Sequence, residues 1–254
     1  MPTKLFESLI VGPIHSRRLG RSLGINLLPE RGKLCNFDCI YCECGWNRDG
    51  REDTSLPSAS KLESALERKL RSCREEGVSI DSITFSGDGE PTLNPDFAKI
   101  IDITLALRDK WYPSAKVSVL SNATRLNDDA VVEALKKVDA PILKLDAPTD
   151  EAAAVINQPQ GHYRVAEVIS GMRKFGGNFI LQTMFLRGPG FDSSSEALLK
   201  AWMDIVRDLR PREVMVYTID RETPASGLEK FTYSQMKELV SPLIAEGFNI
   251  QIKE

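Results

Sequence analysis

Three cysteines lie close together near the start of the chain, and their number and spacing indicate a soft metal centre. Cys35, Cys39 and Cys42 are separated by three and then two residues. Thiolates at this spacing can face one centre, and a deprotonated cysteine is the ligand that holds zinc or an iron–sulfur cluster. Structural zinc sites and electron-transfer clusters normally take four protein ligands. Three thiolates would leave one iron of a [4Fe–4S] cluster open to a substrate or cofactor, which favours a catalytic role.

A fourth cysteine keeps a different interpretation open. Cys44 lies two positions after Cys42 and could complete four-thiolate ligation, which would make a zinc site or a non-enzymatic redox cluster. The fifth cysteine, Cys73, falls in a predicted helix, where the side chain packs as a small hydrophobe. An odd cysteine count with a close triplet argues against a disulfide framework and predicts a reducing, cytoplasmic location.

The composition is that of an ordinary globular protein. Of 254 residues, 42% are hydrophobic and 27% charged, with a net charge of −3, so the chain has no overall positive field for sequence-independent nucleic-acid binding. No stretch approaches the ~20 apolar residues that span a bilayer, and the N-terminal segment lacks a signal-peptide pattern. We expect one domain over 1–254, with an N-terminal extension at about 1–21 and a cysteine loop at about 29–45.

Strand and helix patterns alternate along the chain. Residues 4–14 predict a short strand and turn, and a strand at 22–28 leads into the cysteine loop. Further strands are predicted at 80–86, 116–120, 141–146, 178–186, 213–219 and 248–252. Helices are predicted at 60–76, 95–110, 127–138 with Asn127 as N-cap, 162–176, 193–209 and 234–246. About six strand–helix units predict an α/β fold with a parallel sheet and outer helices, either a partial or complete barrel or a doubly wound sheet.

In such folds the C-terminal ends of the strands form the active face, and a glycine-rich segment follows the second of these strands. Gly87 and Gly89 let the backbone approach a ligand closely, and Pro91 fixes an extended bend after Glu90. The carbonyl and carboxylate oxygens of this segment would suit an ammonium group. An ordinary turn is the alternative interpretation of the same residues.

Polar side chains also end the later strands. Period two along the fourth strand places Lys144 and Asp146 on one face and Leu145 on the other. A buried lysine beside an aspartate is costly unless it is paired or used, so the two residues either contact a ligand or form a structural salt bridge. Asn122 and Gln182 are neutral donors and acceptors that could hold ribose hydroxyls or simply satisfy the strand ends.

Arginines occur beside the first strand and after the sixth. Arg17 and Arg18 belong to a basic stretch, and Arg221 follows Asp220 at a strand end. Arginine presents a planar fork that suits carboxylate or phosphate, so these side chains are candidates for holding an anionic ligand. A solvated basic turn is the competing interpretation of the first stretch.

The cysteine spacing, the aromatic Tyr41 before the last cysteine and the segment Gly89-Glu90-Pro91 one strand later together resemble the radical S-adenosylmethionine (SAM) superfamily. The resemblance implies a partial (β/α)6-type TIM barrel. It also implies that three cysteines hold a [4Fe–4S] cluster, that SAM binds the open iron, and that one electron cleaves SAM to a 5′-deoxyadenosyl radical, which takes hydrogen from a substrate. An external one-electron donor such as a flavodoxin or ferredoxin is implied as well.

Carried onto this sequence, the resemblance and the strand-end pattern give three sets of site residues. The cluster ligands are Cys35, Cys39 and Cys42. The cofactor-binding candidates are Tyr41, Gly87, Gly89, Glu90, Pro91, Asn122, Asp146 and Gln182. The substrate-binding candidates are Arg17, Arg18, Lys144, Asp220 and Arg221.

Within the superfamily, residues 12–20, 35–44 and 182–186 look most like the group named after the wyosine-base tRNA synthetases. The archaeal members of that group carry additional cysteines for a second cluster, whereas only Cys44 and Cys73 remain in this chain. Glycyl-radical-enzyme activases are a second alternative, although they have an Asp-x-Lys order on the fourth strand where this chain has Lys144-Leu145-Asp146. The substrate, whether small molecule, RNA or protein, stays unassigned.

Overall fold

The computed structural model describes residues 8–16, 20–49 and 54–254, and in this part of the chain an eight-stranded sheet is the largest element. The strands are β1 (Ile10–Ser16), β2 (Gly20–Ile25), β3 (Ser82–Phe85), β4 (Lys116–Ser121), β5 (Ala140–Lys144), β6 (Ile180–Met184), β7 (Leu186–Gly188), β8 (Phe191–Asp192), β9 (Glu213–Tyr217), β10 (Glu229–Lys230) and β11 (Ile250–Lys253). The helices are α1 (Ala59–Glu75), α2 (Phe97–Trp111), α3 (Asp129–Lys137), α4 (Asp150–Ile156), α5 (Val165–Arg173), α6 (Glu196–Leu209) and α7 (Tyr233–Ala245).

The strand order is β1-β2-β3-β4-β5-β6-β9-β11, with β1 and β11 at the two edges. Every pair from β2 to β11 is parallel, and at least one helix connects each strand to the next. This confirms the predicted parallel sheet with outer helices. Strand β1 pairs antiparallel with β2. Only three residues separate the two strands in the sequence, which is too few for the long crossover that a parallel pair needs. The short strands β7, β8 and β10 form a separate antiparallel sheet.

The helices cover one face of the sheet and bury their apolar stripes against it. In α1, Leu62, Leu66 and Leu70 are fully buried, as their helical spacing predicted. Ser58 begins this helix by accepting a hydrogen bond from the backbone of Lys61, which satisfies one of the free N–H groups of the first turn.

The other face of the sheet carries a second apolar cluster, which consists of Ala140, Ile142, Ile180 and Met215 with Leu120 packed against it. Alternation along β5 is confirmed, because Leu143 lies in the main core under the helices while Ile142 belongs to this second cluster. Two positions further along their strands, on the same face, come Lys144, Gln182 and Tyr217. An apolar floor therefore lies beneath polar side chains at the C-terminal edge.

Two local expectations were wrong, and one helix was missed. Asp128, not Asn127, caps α3, through a bond to the backbone of Ala130. The helix expected over 162–176 is shorter, and α4 was not predicted, because its seven residues are too few for a clear apolar period. Residues 17–19, which include Arg17 and Arg18, lie outside the described residues. Among the described residues, no helix is long and apolar enough to cross a membrane.

Candidate functional site

A cavity of about 220 Å³ opens at the C-terminal edge of the sheet. It gathers residues from the cysteine loop, the glycine-rich segment and the ends of four strands, β4, β5, β6 and β9. Its lining includes Lys33, Cys35, Cys39, Cys42, Cys44, Gly87, Gly89, Glu90, Asn122, Lys144, Gln182 and Tyr217. The three predicted ligands thus share one cavity with five of the eight predicted cofactor-binding residues and with Lys144.

The glycine-rich segment holds the beginning of the cysteine loop. Leu34 donates its N–H to Asp88 O (2.9 Å) and accepts from Glu90 N (3.1 Å). Gly89 has a φ of +143°, and a Cβ atom there would lie 1.8 Å from Leu34 O. Only glycine fits this position. The close approach that requires glycine is made by Leu34 of the cysteine loop.

Glu90 ties the same segment to the end of β4. Its carboxylate accepts hydrogen bonds from Thr92 N (3.0 Å), Ser121 Oγ (2.9 Å) and Asn122 N (2.6 Å). Only 1% of the residue is exposed, and this burial raises the pKa of Glu90 although the hydrogen bonds counteract it. Pro91 begins a buried 3₁₀ turn just after it. The Glu90 carboxylate therefore serves as a structural anchor, while the backbone of the segment lines the cavity.

Nitrogen donors point at two of the cysteine sulfurs. Cys35 Sγ lies 3.4 Å from Phe37 N and 3.6 Å from Asn122 Nδ2. Cys39 Sγ lies 3.3 Å from Lys144 Nζ and 3.4 Å from Asn157 Nδ2. Donors to sulfur stabilise the thiolate that ligates a metal or cluster and tune its properties. The donor set therefore fits cysteines that act as cluster ligands.

Cys44 lines the same cavity and interacts with Cys42. A hydrogen bond between the two thiols lowers the pKa of Cys42 and raises that of Cys44 well above its ordinary value. Cys44 Sγ also lies 3.9 Å from the carbonyl oxygen of Gly87. Of this pair, Cys42 is the one that favours the thiolate form.

Two lysines flank the cysteines, the buried Lys33 and the partly buried Lys144. Lys33 Nζ lies 3.1 Å from Asp38 Oδ1 and 3.0 Å from Gly45 O. Burial alone would lower the pKa of Lys33, but the neighbouring cysteine thiolates and Asp38 raise it overall. Lys144 Nζ lies 3.4 Å from Asp146 Oδ2 and 3.3 Å from Cys39 Sγ. The site thus places two cations beside a group of potential thiolates.

Asp146 lies beside the cavity rather than on its lining, and its carboxylate accepts hydrogen bonds from three different segments of the chain. It accepts hydrogen bonds from the Tyr41 hydroxyl, from Asn157 Nδ2 (2.6 Å) and from Met184 N (2.9 Å). The Tyr41 ring packs under Lys144, with 4.8 Å between Nζ and the ring centroid. These contacts engage both oxygens of Asp146 and fix the orientation of the last turn of the cysteine loop.

The predicted residues Asp220 and Arg221 line a different, smaller cavity of about 80 Å³, together with Tyr41 and Tyr217. Arg221 forms an ion pair with Glu43 at the protein surface. Tyr217 lines both cavities. The structure therefore places these two candidates next to the cysteine cavity and not in it.

Two asparagines, Asn47 and Asn157, bond to the cysteine loop but were not predicted as site residues. Asn47 bridges the backbone of Cys35 and Phe37, and Asn157 links Cys39 to Asp146. Asn157 follows α4, the helix that was not predicted, and Asn47 lies beyond the predicted loop. Neither residue belongs to a recognisable motif, so no signal in the sequence could have identified them.

An α/β sheet with helices on one face and a three-cysteine loop at its C-terminal edge defines a class, that of radical SAM proteins. The family model of the radical SAM superfamily matches residues 30–198, which is more than half of the chain. The chain belongs to this superfamily. It is therefore a radical SAM enzyme by family, and the cofactors of this family are a [4Fe–4S] cluster and SAM.

Among curated proteins, the chain is 30% identical over 225 residues to a Brachyspira hyodysenteriae protein named GTPase Obg, which covers 87% of this chain and 31% of that one. It is 28% identical over 243 residues to a UPF0026 protein of Methanocaldococcus jannaschii, covering 94% of this chain and 70% of that one. The chain thus spans less than a third of the first relative.

Among solved structures, Streptococcus suis SuiB bound to S-adenosylmethionine has a TM-score of 0.65 and 18% identity, covering 88% of this chain and 49% of that one. TYW1 with a lysine–pyruvate adduct bound has a TM-score of 0.63 and 15% identity, covering 89% of this chain and 73% of that one. These similarities confirm the α/β fold of the radical SAM kind, while the family model confirms the resemblance to the superfamily.

Proposed function

We propose that this chain holds a [4Fe–4S] cluster through Cys35, Cys39 and Cys42 and binds SAM beside it. The observation that carries the proposal is the shared cavity, because it joins the three sulfurs, the backbone of the glycine-rich segment and polar strand ends in one space. When bound and reduced, the cluster supplies one electron that cleaves SAM to a 5′-deoxyadenosyl radical, which takes a hydrogen atom from a substrate that stays unassigned.

The chain's own residues bind and orient in this proposal. Gly87 and Gly89 line the cavity, where their backbone oxygens suit the amino group of SAM, and Gln182 offers an amide to its ribose. Asn122 lines the cavity as well, but its amide already bonds to Asn36 and Thr124. The apolar cluster around Ile142 closes the floor of the cavity and keeps water from entering between the strands.

We also propose an external one-electron donor of the flavodoxin or ferredoxin kind and a cytoplasmic location. Both follow from the same chemistry. The cysteines must remain reduced to bind a cluster, which requires a reducing compartment, and the bound cluster needs a donor that supplies its electron.

Anaerobic reconstitution with iron and sulfide, followed by reduction in the presence of SAM, tests the proposal. The wild type should release 5′-deoxyadenosine, measured by chromatography, even without substrate. The Cys42→Ala variant should release no 5′-deoxyadenosine. The Cys73→Ala variant should still release it, because Cys73 is a buried residue of α1. Reconstituted wild-type protein that releases no 5′-deoxyadenosine would show the proposal to be wrong.

A non-enzymatic four-cysteine site is the second candidate, and the observation in its favour is that Cys44 lines the same cavity. The two candidates differ in what Cys44→Ala does. With three cysteine ligands, this variant should keep its iron content and its cleavage of SAM. Loss of metal from Cys44→Ala, with wild-type protein inert towards SAM, would favour the second candidate.

A further inference from the structure

Lys33 is a buried cation against the cysteine loop that neither the family motif nor the strand ends account for. Its side chain is 2% exposed, and it lines the same cavity as the cysteine sulfurs. A buried ammonium group is costly unless it is paired. Here the cost is offset by Asp38 Oδ1 at 3.1 Å and by Gly45 O at 3.0 Å.

Asp38 is fixed as firmly as its partner. Its Oδ1 also accepts a hydrogen bond from Asn47 N (2.9 Å), and its own N–H donates to Asn157 O (2.9 Å). Its side chain is 15% exposed and, unlike Lys33, does not line the cavity. The pair is therefore an oriented dipole whose positive end faces the cysteines.

We propose that Lys33 and Asp38 form a fixed charge pair that sets the reduction potential of the centre held by Cys35, Cys39 and Cys42. This inference rests on the proposed function. One electron from the donor makes the centre one unit more negative, and a nearby fixed cation stabilises that state. Because Lys33 is buried, solvent and salt screen its field only weakly. Lys33 raises the potential, and Asp38, whose side chain does not line the cavity, lowers it by less.

The test is a redox titration of the anaerobically reconstituted full chain with dithionite and mediator dyes, followed by the electron paramagnetic resonance signal of the reduced cluster. Lys33→Met should lower the equilibrium constant for reduction about tenfold, which for one electron is about 59 mV. Asp38→Asn keeps an acceptor for Asn47 N and should shift the constant the opposite way, about threefold. The double variant should fall between the two single variants.

Two controls separate charge from packing. Lys33→Arg keeps the cation and should stay within about threefold of the wild type. Lys61→Met removes an exposed lysine that pairs with Glu30 at the surface and should leave the potential unchanged, since exposed charges are screened.

Equal reduction potentials in the wild type and Lys33→Met would overturn the inference. Shifts of the same sign in Lys33→Met and Asp38→Asn would also overturn it, because removing opposite charges should shift the potential in opposite directions. If Lys33→Met assembles no cluster, Asp38→Asn alone decides by the sign of its shift. A wild type that forms a cluster and cleaves SAM while these variants titrate alike would refute this inference only. A wild type without a cluster would refute the proposed function as well.

Discussion

Single residues at this site are constrained by how closely two chain segments approach each other. Gly89 combines a positive φ with the contact to Leu34 O, so a side chain there would meet both backbone strain and a lack of space. Gly77, which lies just after α1, has a φ of +67°, but a Cβ atom added there would have nothing within 4 Å. The two glycines thus separate the effect of backbone conformation from the effect of crowding.

Gly89→Ala should lower the free energy of unfolding by about 3 kcal/mol, because strain and overpacking add. Gly77→Ala should cost about 1 kcal/mol for the backbone alone. Urea unfolding measures both. Iron content after reconstitution should fall in the Gly89 variant and not in the Gly77 variant. Equal iron content in the two would mean that the contact with Leu34 does not position the cysteine loop.

At the scale of elements, the cysteine loop contains no helix or strand before a 3₁₀ turn at Asn47–Asp49, and it depends on side chains for its shape. Asn47 supplies three of the hydrogen bonds: Oδ1 accepts from Cys35 N (3.2 Å), and Nδ2 donates to Cys35 O and Phe37 O (3.0 Å each). The residue is buried. One amide therefore substitutes for the backbone pairing that a strand or helix would provide.

Asn47→Ala should leave these backbone groups without partners, which costs about 2 kcal/mol and loosens the first two ligands. We expect the iron bound per chain to fall by about half or more, measured colorimetrically. Asn178→Ala is the matched control, since Asn178 is exposed and its side chain, within the described part of the chain, accepts a hydrogen bond from Arg212. A fully loaded Asn47→Ala protein would contradict the assigned role.

At the scale of the whole molecule, Asp139 joins elements at the end of the sheet opposite the cavity. Its Oδ2 accepts from Arg108 Nη1 (2.7 Å), on α2, and from Val117 N (2.8 Å), on β4. Partial burial alone would raise the pKa of Asp139, but the hydrogen bonds from Val117 and Arg108 hold it below the ordinary value of 3.8. The folded state therefore favours the ionised carboxylate more than the unfolded state does.

A depressed pKa in the folded state means that this contribution is fully present above pH 3.8 and disappears as the pH falls through the lower, folded value. Asp139→Asn should lower the free energy of unfolding by about 1 kcal/mol at pH 7, and the difference from the wild type should shrink in acid. Asp208→Asn, which breaks an exposed pair with Arg173, should cost less than about 0.5 kcal/mol. A difference for Asp139→Asn that stays constant from pH 7 to pH 3 would contradict the linkage.

Local regularities in the sequence were sufficient for much of the fold and part of the site. The leucine spacing of α1 and the alternation along β5 hold in the structure, because periods of 3.6 and 2 follow from backbone geometry wherever one face is buried. The cysteine triplet and Gly89 carry their chemistry in residue type and spacing. The cysteine triplet and the glycine-rich segment were therefore sufficient to predict the class of protein and the edge of the sheet at which the site lies.

The tertiary structure alone decided which side chains meet. Asn157 and Cys39 are 118 positions apart and touch, while Arg221, expected at the site, pairs with Glu43 beside it. Likewise, nothing local showed that Glu90 faces β4 or that Lys33 is buried. Such contacts depend on strand register and on the paths of loops across the sheet edge, and these are fixed by packing over the whole chain rather than by any short stretch of it.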